Sequence, residues 1–283
     1  MKNIKALLAL FAIIVLPVSC SSDGESSDGR DNSIRQRVVS KITFYPEEWD
    51  EADEEYSFRY DSYGRITRVT HKIISDSNAE LCHYEHFVYG SNGILTIRND
   101  DEDYSCEATL NRDGYISEMY VDLDGVPALY TFSYDKSGRL ITNEYSCEYS
   151  YDDYYQNTQT YNWNSGNIVE CEWYETDSDD YELIQYSYNS KLMNMVNLDL
   201  NVALGYYCGF LCIDFDICGY WGDGLCGQKS RNLLTSVEIF EGYGSYRYDI
   251  NWHYDEDGYP MSADIIGDDD DDSCRVTIEY DDK

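Results

Sequence analysis

Carboxylates are the most numerous side chains in this sequence that could do chemistry. The chain of 283 residues carries 55 Asp and Glu against 20 Lys and Arg, and many of the acids stand in short runs. Clustered carboxylates on loops are the ligands that hard cations such as Ca²⁺ prefer in proteins. The runs therefore predict Ca²⁺ as a candidate cofactor, with eight candidate metal ligands: Asp100, Asp101, Asp103, Asp177, Asp179, Asp268, Asp270 and Asp272.

The acidic runs have two other interpretations. Charged loops keep large β proteins dissolved and protect sheet edges, and a strongly negative surface steers basic partners towards it. The formal net charge of −35 excludes unaided binding to nucleic acid or to an anionic bilayer, because both repel such a protein. Asp268, Asp270 and Asp272 have the one-three-five spacing of a calcium loop. Ser273 occupies the glycine position of such a loop, however, so we regard that match as accidental.

Cysteines are the second group of reactive side chains, and the sequence has ten of them. Four lie close together in one segment, and in an oxidising compartment we expect them to form two disulfides. A zinc site is the alternative, although only one of the spacings fits paired cysteine ligands. These candidates are Cys208, Cys212, Cys218 and Cys226.

Known catalytic motifs are not recognisable in the sequence. It has no Gly-x-Ser-x-Gly elbow, no His-Glu-x-x-His helix and no phosphate-binding glycine loop. The histidines are interpreted as surface or rim residues; they are His71, His83, His86 and His253. We therefore expect no enzyme. A glycoside-active enzyme needs only two carboxylates and is kept as an alternative.

Aromatic side chains offer a different kind of site. Flat aromatic faces stack on sugar rings, and three tryptophans fall near expected loops. Trp49, Trp173 and Trp221 are therefore candidates for glycan binding, with an ordinary core position as the other interpretation.

The N-terminus has the pattern of a lipoprotein leader. Lys2 and Lys5 precede an apolar run over residues 6–16, which is too short to span a bilayer, and Ser19 stands directly before Cys20. A cysteine at this place resembles the lipobox of bacterial lipoproteins, which implies that Cys20 is lipidated. We expect a signal peptide over 1–19 and a flexible acidic tether over 20–35.

The rest of the chain repeats one turn. Tyr60-Asp61-Ser62-Tyr63-Gly64 and Tyr134-Asp135-Lys136-Ser137-Gly138 are two copies, and their flanks alternate apolar and polar residues with period two. Asp starts such a turn through its own backbone, and Gly takes the positive φ that ends it. The pattern predicts an all-β domain over 36–283, a large antiparallel meander of about 14–16 strands curled or closed into a barrel-like sheet.

Two further features follow from the meander. Residues 191–229 lack the turn motif and carry an apolar run, so we expect a short helix or buried loop that plugs the sheet. Tight turns and outer loops alternate in a meander and therefore lie on opposite edges. The acidic runs 50–55, 100–103, 175–180 and 268–272 fall on the outer loops, which predicts one strongly acidic rim.

Together these motifs resemble a Bacteroidota lipoprotein family of unknown function. The resemblance rests on the lipobox, the acidic tether, the Tyr-Asp-x-x-Gly hairpins, which are also similar to YD repeats, residues 197–201, Ser230-Arg231-Asn232-Leu233 and Asp257-Gly258-Tyr259-Pro260. It implies a porin-like β fold and brings no activity or catalytic residue. A lipid-facing band should be aliphatic, whereas tyrosines are frequent throughout the apolar face. We therefore expect the sheet to stand outside the bilayer.

These observations predict an envelope-anchored lipoprotein that acts as a non-enzymatic binding or structural module. Its expected place is the outer membrane, facing the cell surface, although the periplasmic side is left open. The expected partners are the membrane, through the lipid anchor alone, and a glycan or protein ligand, with no nucleic acid. Cation binding at the acidic rim and glycan binding at exposed aromatics are the two candidate activities.

Overall fold

The computed structural model describes residues 37–46, 54–74, 81–99, 105–123, 125–150, 153–176, 181–208, 224–242, 244–268 and 273–282. These ranges contain sixteen strands and one helix. The first eight strands are β1 Arg37–Pro46, β2 Glu54–Tyr60, β3 Ile66–Ile73, β4 Leu81–Tyr89, β5 Ile94–Asn99, β6 Ser105–Leu110, β7 Ile116–Leu123 and β8 Val126–Tyr134. The others are β9 Leu140–Ser150, β10 Asp153–Asn164, β11 Asn167–Glu175, β12 Tyr181–Met193, α1 Leu200–Cys208, β13 Asn232–Glu241, β14 Gly244–Tyr254, β15 Pro260–Gly267 and β16 Cys274–Asp282.

The sheet is a closed antiparallel barrel. Each strand pairs with its neighbours in the chain, and β1 closes the circle by pairing with β16 from Arg37↔Asp282 to Pro46↔Cys274. The prediction of an all-β meander of about 14–16 strands is therefore confirmed, and the observed number is sixteen. Closure leaves none of these strands with an unpaired edge, which removes the usual route to edge-to-edge association.

The barrel is apolar inside and polar outside. In β6, Cys106 and Ala108 are buried, whereas Ser105, Glu107 and Thr109 between them are exposed. The same alternation runs around the wall, because successive side chains of a strand point to opposite faces. The buried residues of all parts of the wall form one contiguous core inside the barrel.

The connections divide into two sets at opposite ends of the barrel. One end, called the turn rim below, carries the tight turns 61–65, 90–93, 111–115, 135–139, 165–166 and 255–259. Arg37 and Asp282 lie at the same end, because β1 starts there and β16 ends there. The other end is called the acidic rim, since the acid-rich segments join strand ends there; most of those segments lie outside the described residues.

Four of the tight turns, 61–65, 111–115, 135–139 and 255–259, share one geometry. In the first, the N–H groups of Tyr63 and Arg65 donate to Asp61 Oδ1 at 2.8 and 3.0 Å, and Gly64 takes φ 83°. The tyrosine before the Asp sits at a register shift, and its hydroxyl donates to Val39 O of the neighbouring strand at 2.7 Å. The aromatic residue of the motif therefore satisfies a backbone carbonyl as well as filling the core.

The connection from β12 to β13 enters the barrel at the turn rim and is called the plug. Its described parts are 194–208 and 224–231, and α1 forms its centre. Val196, Leu198 and Leu204 are at most 2% exposed, so the plug packs as part of the core. The expected helix or buried loop is thus present, although β12 continues to Met193, two residues beyond the expected start of the plug. In the described part of the chain, no helix is long and apolar enough to cross a membrane.

Candidate functional site

Polar side chains facing the interior of an apolar barrel are the natural place to look for a site. One such group lies on β2, β3 and β4 near the acidic rim, where Tyr56 pairs with His71 and His71 pairs with His83. Tyr56 is 2% exposed and belongs to the core, so the two histidines opposite it face the interior as well. Glu54 stands two residues before Tyr56 and therefore shares this face. We call Glu54, Tyr56, His71 and His83 the lumen cluster.

Three members of the lumen cluster touch one another. His71 Nε2 lies 2.9 Å from Glu54 Oε2, and the Tyr56 hydroxyl donates to the same carboxylate oxygen. The His71 ring stacks on the Tyr56 ring with centroids 4.3 Å apart and an angle of 9° between planes. The Tyr56 ring meets Phe44 edge-on at 5.9 Å, which ties the group to the core. The position of the carboxylate is thus fixed from two sides.

Electrostatics favour the ionised form of Glu54. Burial alone would raise the pKa of this carboxyl, but the hydrogen bonds from His71 and Tyr56 outweigh burial, and the pKa is lowered from 4.5. The Glu54 and His71 side chains retain 24% and 23% of their exposure, so the group is half-buried and reachable from solvent.

His83 is the fourth member of the lumen cluster. Its ring centroid lies 6.0 Å from that of His71. Glu85 is on the same face one step along β4, because it pairs with the buried Val69. His86 pairs with Arg68 and faces the outside, as expected for a residue three positions from His83. The lumen cluster and the neighbouring Glu85 therefore bring two imidazoles and two carboxylates to one face of the wall.

The interpretation of His71 as a surface or rim residue was incomplete, since its side chain faces the lumen and binds Glu54. His71 and His83 are twelve positions apart, and nothing in the local pattern of either strand pairs them. The sequence did contain one signal: His71 lies two positions after Val69, so on a strand both side chains point to the same, apolar face.

The plug carries a second polar network. Asn197, Asp199 and Asn201 alternate with Leu198 and Leu200, and each polar residue binds a different partner. Asn197 Oδ1 accepts from Val39 N at 2.8 Å, beside a bulge in β1. Asn201 spans the start of β13: its Nδ2 donates to the carbonyl of residue 232 at 2.9 Å, and its Oδ1 accepts from the N–H of residue 234 at 2.9 Å.

Asp199 is the centre of this network and the N-cap of α1. Its Oδ1 accepts from Asn201 N at 3.1 Å and from Asn194 Nδ2 at 2.8 Å, and its Oδ2 accepts from Ser230 N at 3.3 Å. Full burial raises the pKa of Asp199, and the Lys229 ammonium opposes that shift. Burial likewise lowers the pKa of Lys229, which donates to Val196 O. Asp199 therefore joins the start of α1 to Asn194 and to the segment that leads into β13.

A cavity of about 60 Å³ lies beside Asp199 and Lys229. Four aromatic residues form much of its wall: Tyr161, Trp163, Tyr186 and Tyr188. At roughly 10–15 Å³ for each water molecule this space holds a few waters, which is too little for a sugar ring.

The sequence-predicted site residues fall into two groups. Asp268 is exposed and accepts a hydrogen bond from Arg247 N at 2.9 Å, Trp173 is half-buried and packs against the core, and Cys226 is half-buried beside the cavity. The other candidates lie outside the residues, or in one case the side chains, that the structure describes: Cys20, Trp49, Asp100, Asp101, Asp103, Asp177, Asp179, Cys208, Cys212, Cys218, Trp221, Asp270 and Asp272.

Solved structures with the same fold come from Bacteroides. A porin-like protein from Bacteroides uniformis ATCC 8492 has a TM-score of 0.66 at 15% sequence identity, covering 86% of this chain and 98% of that chain. A porin-like protein from Bacteroides vulgatus ATCC 8482 has a TM-score of 0.60 at 16% identity, covering 87% and 99%. At these identities the likeness shows the fold alone. No curated protein matches the sequence.

The family is identified by the sequence itself. Residues 58–262 match the family described as a domain of unknown function (DUF4595) with porin-like fold, and this match spans most of the barrel from β2 to β15. The chain therefore belongs to the DUF4595 family.

Proposed function

We propose that this protein is an envelope-anchored lipoprotein whose barrel acts as a non-enzymatic binding or structural module. The observation that carries the proposal is that the tight turns and the acid-rich connections lie at opposite ends of the barrel. The chain enters the barrel at Arg37 on the turn rim, so a tether from a lipidated Cys20 joins that end. The acidic rim is the opposite end, and it is the surface that the module offers to ligands.

The wall of the barrel supports a position outside the bilayer. A membrane-spanning barrel carries an apolar band on its outer face and a polar lumen. Here Leu95 and Ile184 are completely buried inside, whereas Glu107 and Arg275 are exposed on the outside. A polar outer wall around an apolar, plugged interior suits a rigid scaffold rather than a channel.

The binding activity that we assign to the acidic rim is Ca²⁺ coordination. The runs at residues 50–55, 100–103, 175–180 and 268–272 join strand ends on this rim, and they contain no Lys or Arg. Carboxylates on neighbouring loops repel one another, and a divalent cation relieves that repulsion. We therefore expect Ca²⁺ to stabilise the barrel.

Thermal unfolding of residues 21–283 in EDTA and in millimolar Ca²⁺ tests this assignment. We expect Ca²⁺ to raise the melting temperature by several degrees, because a ligand that binds only the folded state stabilises it. Replacing Asp268 through Asp272 together with Asn should abolish most of the rise. An equal melting temperature with and without Ca²⁺ would mean that the rim only keeps the protein dissolved.

Glycan binding is a second candidate, and one pair of exposed aromatics favours it. Tyr174 and Tyr181 pair directly across β11 and β12 on the outer face and are 41% and 49% exposed. Asn162 and Gln185 both donate to the nearby Glu170, at 2.8 and 3.2 Å, so hydrogen-bonding groups adjoin the aromatic pair. Affinity electrophoresis in neutral polysaccharides should show retardation that Tyr174→Ala removes. Equal mobility of both proteins would exclude this surface.

A further inference from the structure

The outer face of four neighbouring strands, β2 to β5, carries basic side chains side by side. In each of these strands the residue next to the basic one is buried in the core, so the basic side chain points outwards. The register places them directly opposite one another, as Arg59↔Arg68, Arg68↔His86 and His86↔Arg98. We call Arg59, Arg68, His86 and Arg98 the basic row.

Carboxylates are scarce around the basic row, although the chain has 55 Asp and Glu and only 20 Lys and Arg. Of the described residues that point outwards on β2 to β5, Glu55 is the only acid. It pairs with Lys72 and lies 3.5 Å from Lys41 Nζ, so basic groups stand on both sides of it. The small side chains that surround the basic row carry hydroxyl groups: Ser57, Thr70 and Thr96.

The pairing of Arg59 with Arg68 is unfavourable by itself, because like charges directly opposite on a sheet destabilise it. Other outward arginines of the barrel are matched. Arg247 and Arg275, on β14 and β16, lie 2.8 and 2.7 Å from a carboxylate oxygen. A bound anion would relieve the repulsion within the basic row, which makes this surface a candidate binding site.

We propose that the basic row binds a short oligosaccharide that carries sulfate or carboxylate groups. Guanidinium groups donate paired N–H bonds to such oxyanions, and the neighbouring hydroxyl side chains suit the hydroxyl groups of a sugar. Arg68 is already oriented, since its Nε donates to Thr70 Oγ1 at 3.2 Å and its guanidinium lies 4.8 Å from the centre of the Tyr84 ring. An extended peptide is a poorer match, because a closed barrel offers it no strand edge to pair with.

The charge of the rest of the molecule limits the length of the ligand. Three steps of about 4.8 Å between strands make the basic row roughly 14 Å long. The row ends at β6, where the exposed Glu107 pairs with Thr96. A long polyanion or an anionic bilayer extends past this point and is repelled by the net charge of −35. A ligand no longer than the row interacts mainly with the arginines, because salt at physiological strength screens exposed charges beyond about 8 Å.

This site is separate from the two candidate sites of the proposed function. It contains no residue of the acidic rim and does not include Tyr174, so each assignment can fail without the others. Binding measured in EDTA cannot result from Ca²⁺ that bridges the acidic rim to an anionic sugar. Binding that requires the sulfate groups cannot result from stacking of a neutral sugar on Tyr174.

Fluorescence anisotropy of dye-labelled, sulfated maltotriose tests the assignment on residues 21–283 at low ionic strength in EDTA. We expect saturable binding that weakens as salt is added, and no binding of labelled maltotriose without sulfate. A galacturonate trisaccharide in the same assay shows whether carboxylate or sulfate is the preferred anion. Arg59→Gln combined with Arg98→Gln should weaken binding at least tenfold, because both side chains are exposed donors of the row.

The matched control is Arg247→Gln combined with Arg275→Gln, which removes two outward arginines and changes the net charge equally. This control should leave the affinity nearly unchanged. Equal losses in the two double variants would mean that net charge alone governs binding, and equal binding of sulfated and neutral maltotriose would mean that the row does not recognise anions. Either result would overturn the assignment.

Two further measurements complete the test. The melting temperature shows whether each variant is folded, and Arg59→Lys with Arg98→Lys is the second pair should the Gln pair fail to fold. Lysine keeps the charge but lacks the planar fork, so this pair should also bind the sulfated sugar more weakly. If the chain instead forms salt-sensitive dimers that the Gln pair abolishes, and does not bind the sugar, the basic row is occupied by a second copy and the assignment is wrong.

Discussion

The two rims of the barrel use the same acidic side chains in opposite ways. At the turn rim, carboxylates are part of the framework. Asp61, Asp135 and Asp255 each accept two backbone N–H groups of their own turn and an arginine side chain. The pKa of all three is lowered by these bonds, although burial opposes the shift. The negative charge of each of these three turn residues therefore has an arginine as its partner.

The acidic rim differs in sequence, because the segments that join strand ends there are runs of Asp and Glu. The runs at this end contain no Lys or Arg, and the described Asp268 is exposed and accepts one backbone hydrogen bond. The difference shows that acid content by itself does not indicate function. A carboxylate that caps a turn is committed to folding, and for this reason our proposal of ligand binding concerns the acids at the opposite end.

The largest expected effect is the loss of Asp199 from the plug. Asp199→Ala leaves Lys229 half-buried without its carboxylate and removes the acceptor for three donors. Leaving a buried donor without its acceptor costs about 1–3 kcal/mol of unfolding free energy for each such group. Chemical denaturation of residues 21–283 measures the change.

Asp268→Ala at the acidic rim is the matched control. An exposed residue with one backbone hydrogen bond contributes within about 0.5 kcal/mol. If the two variants lose similar stability in EDTA, the division between a framework end and a binding end is incorrect.

A smaller effect is expected at the glycines of two tight turns. Gly138 and Gly258 both have positive φ, at 78° and 85°, so alanine at either position costs about 1 kcal/mol of backbone strain. A Cβ at Gly138 would also lie 2.7 Å from the Tyr115 ring, whereas a Cβ at Gly258 meets nothing within 4 Å. Overpacking adds about 1–3 kcal/mol, so Gly138→Ala should be the less stable variant.

The plug explains why these two turns differ. Gln228 N donates to Gly138 O at 2.8 Å, so the plug lies against the turn 135–139. Equal melting temperatures for Gly138→Ala and Gly258→Ala would show that the side chains around Gly138 move aside at no cost in stability. The packing at this part of the turn rim would then not be rigid.

The sequence predicts the strands well because their signals are local. Period-two alternation and the Asp and Gly of each turn fall within about ten residues, and they suffice to place the hairpins and to estimate 14–16 strands. Local patterns do not distinguish a curled sheet from a closed one, since the pairing of Arg37 with Asp282 joins residues that are 245 positions apart. The carbonyl bonds of Tyr60 and Trp163 to neighbouring strands were not expected either.

The candidate site was harder to predict, because it depends on register across strands. His71 meets His83 only if β3 and β4 pair as they do, and the connection between them is a longer loop that does not fix the register by its length. The role of Asp199 was also missed. The alternation of Asn197, Asp199 and Asn201 with leucines was visible, but their partners in β1 and β13 were not.

The smallest expected effect is the response of the turn rim to acid. A carboxyl whose folded pKa is lowered stabilises the protein above its unfolded pKa, and that contribution is lost as pH falls through the folded value. The pKa of Asp255 is lowered from 3.8, so its contribution to stability is complete above pH 4 and declines below it.

Asp255→Asn should therefore lower the melting temperature by a constant amount from pH 7 to pH 5, and the difference from the unchanged chain should shrink below pH 4. Glu256→Gln, a substitution at an exposed neighbouring position, is the control variant. If the Asp255→Asn difference instead grows as pH falls, Asp255 is protonated in the folded state before it is in the unfolded state. Its bonds to the turn and to Arg37 would then not be the ones that hold this end together.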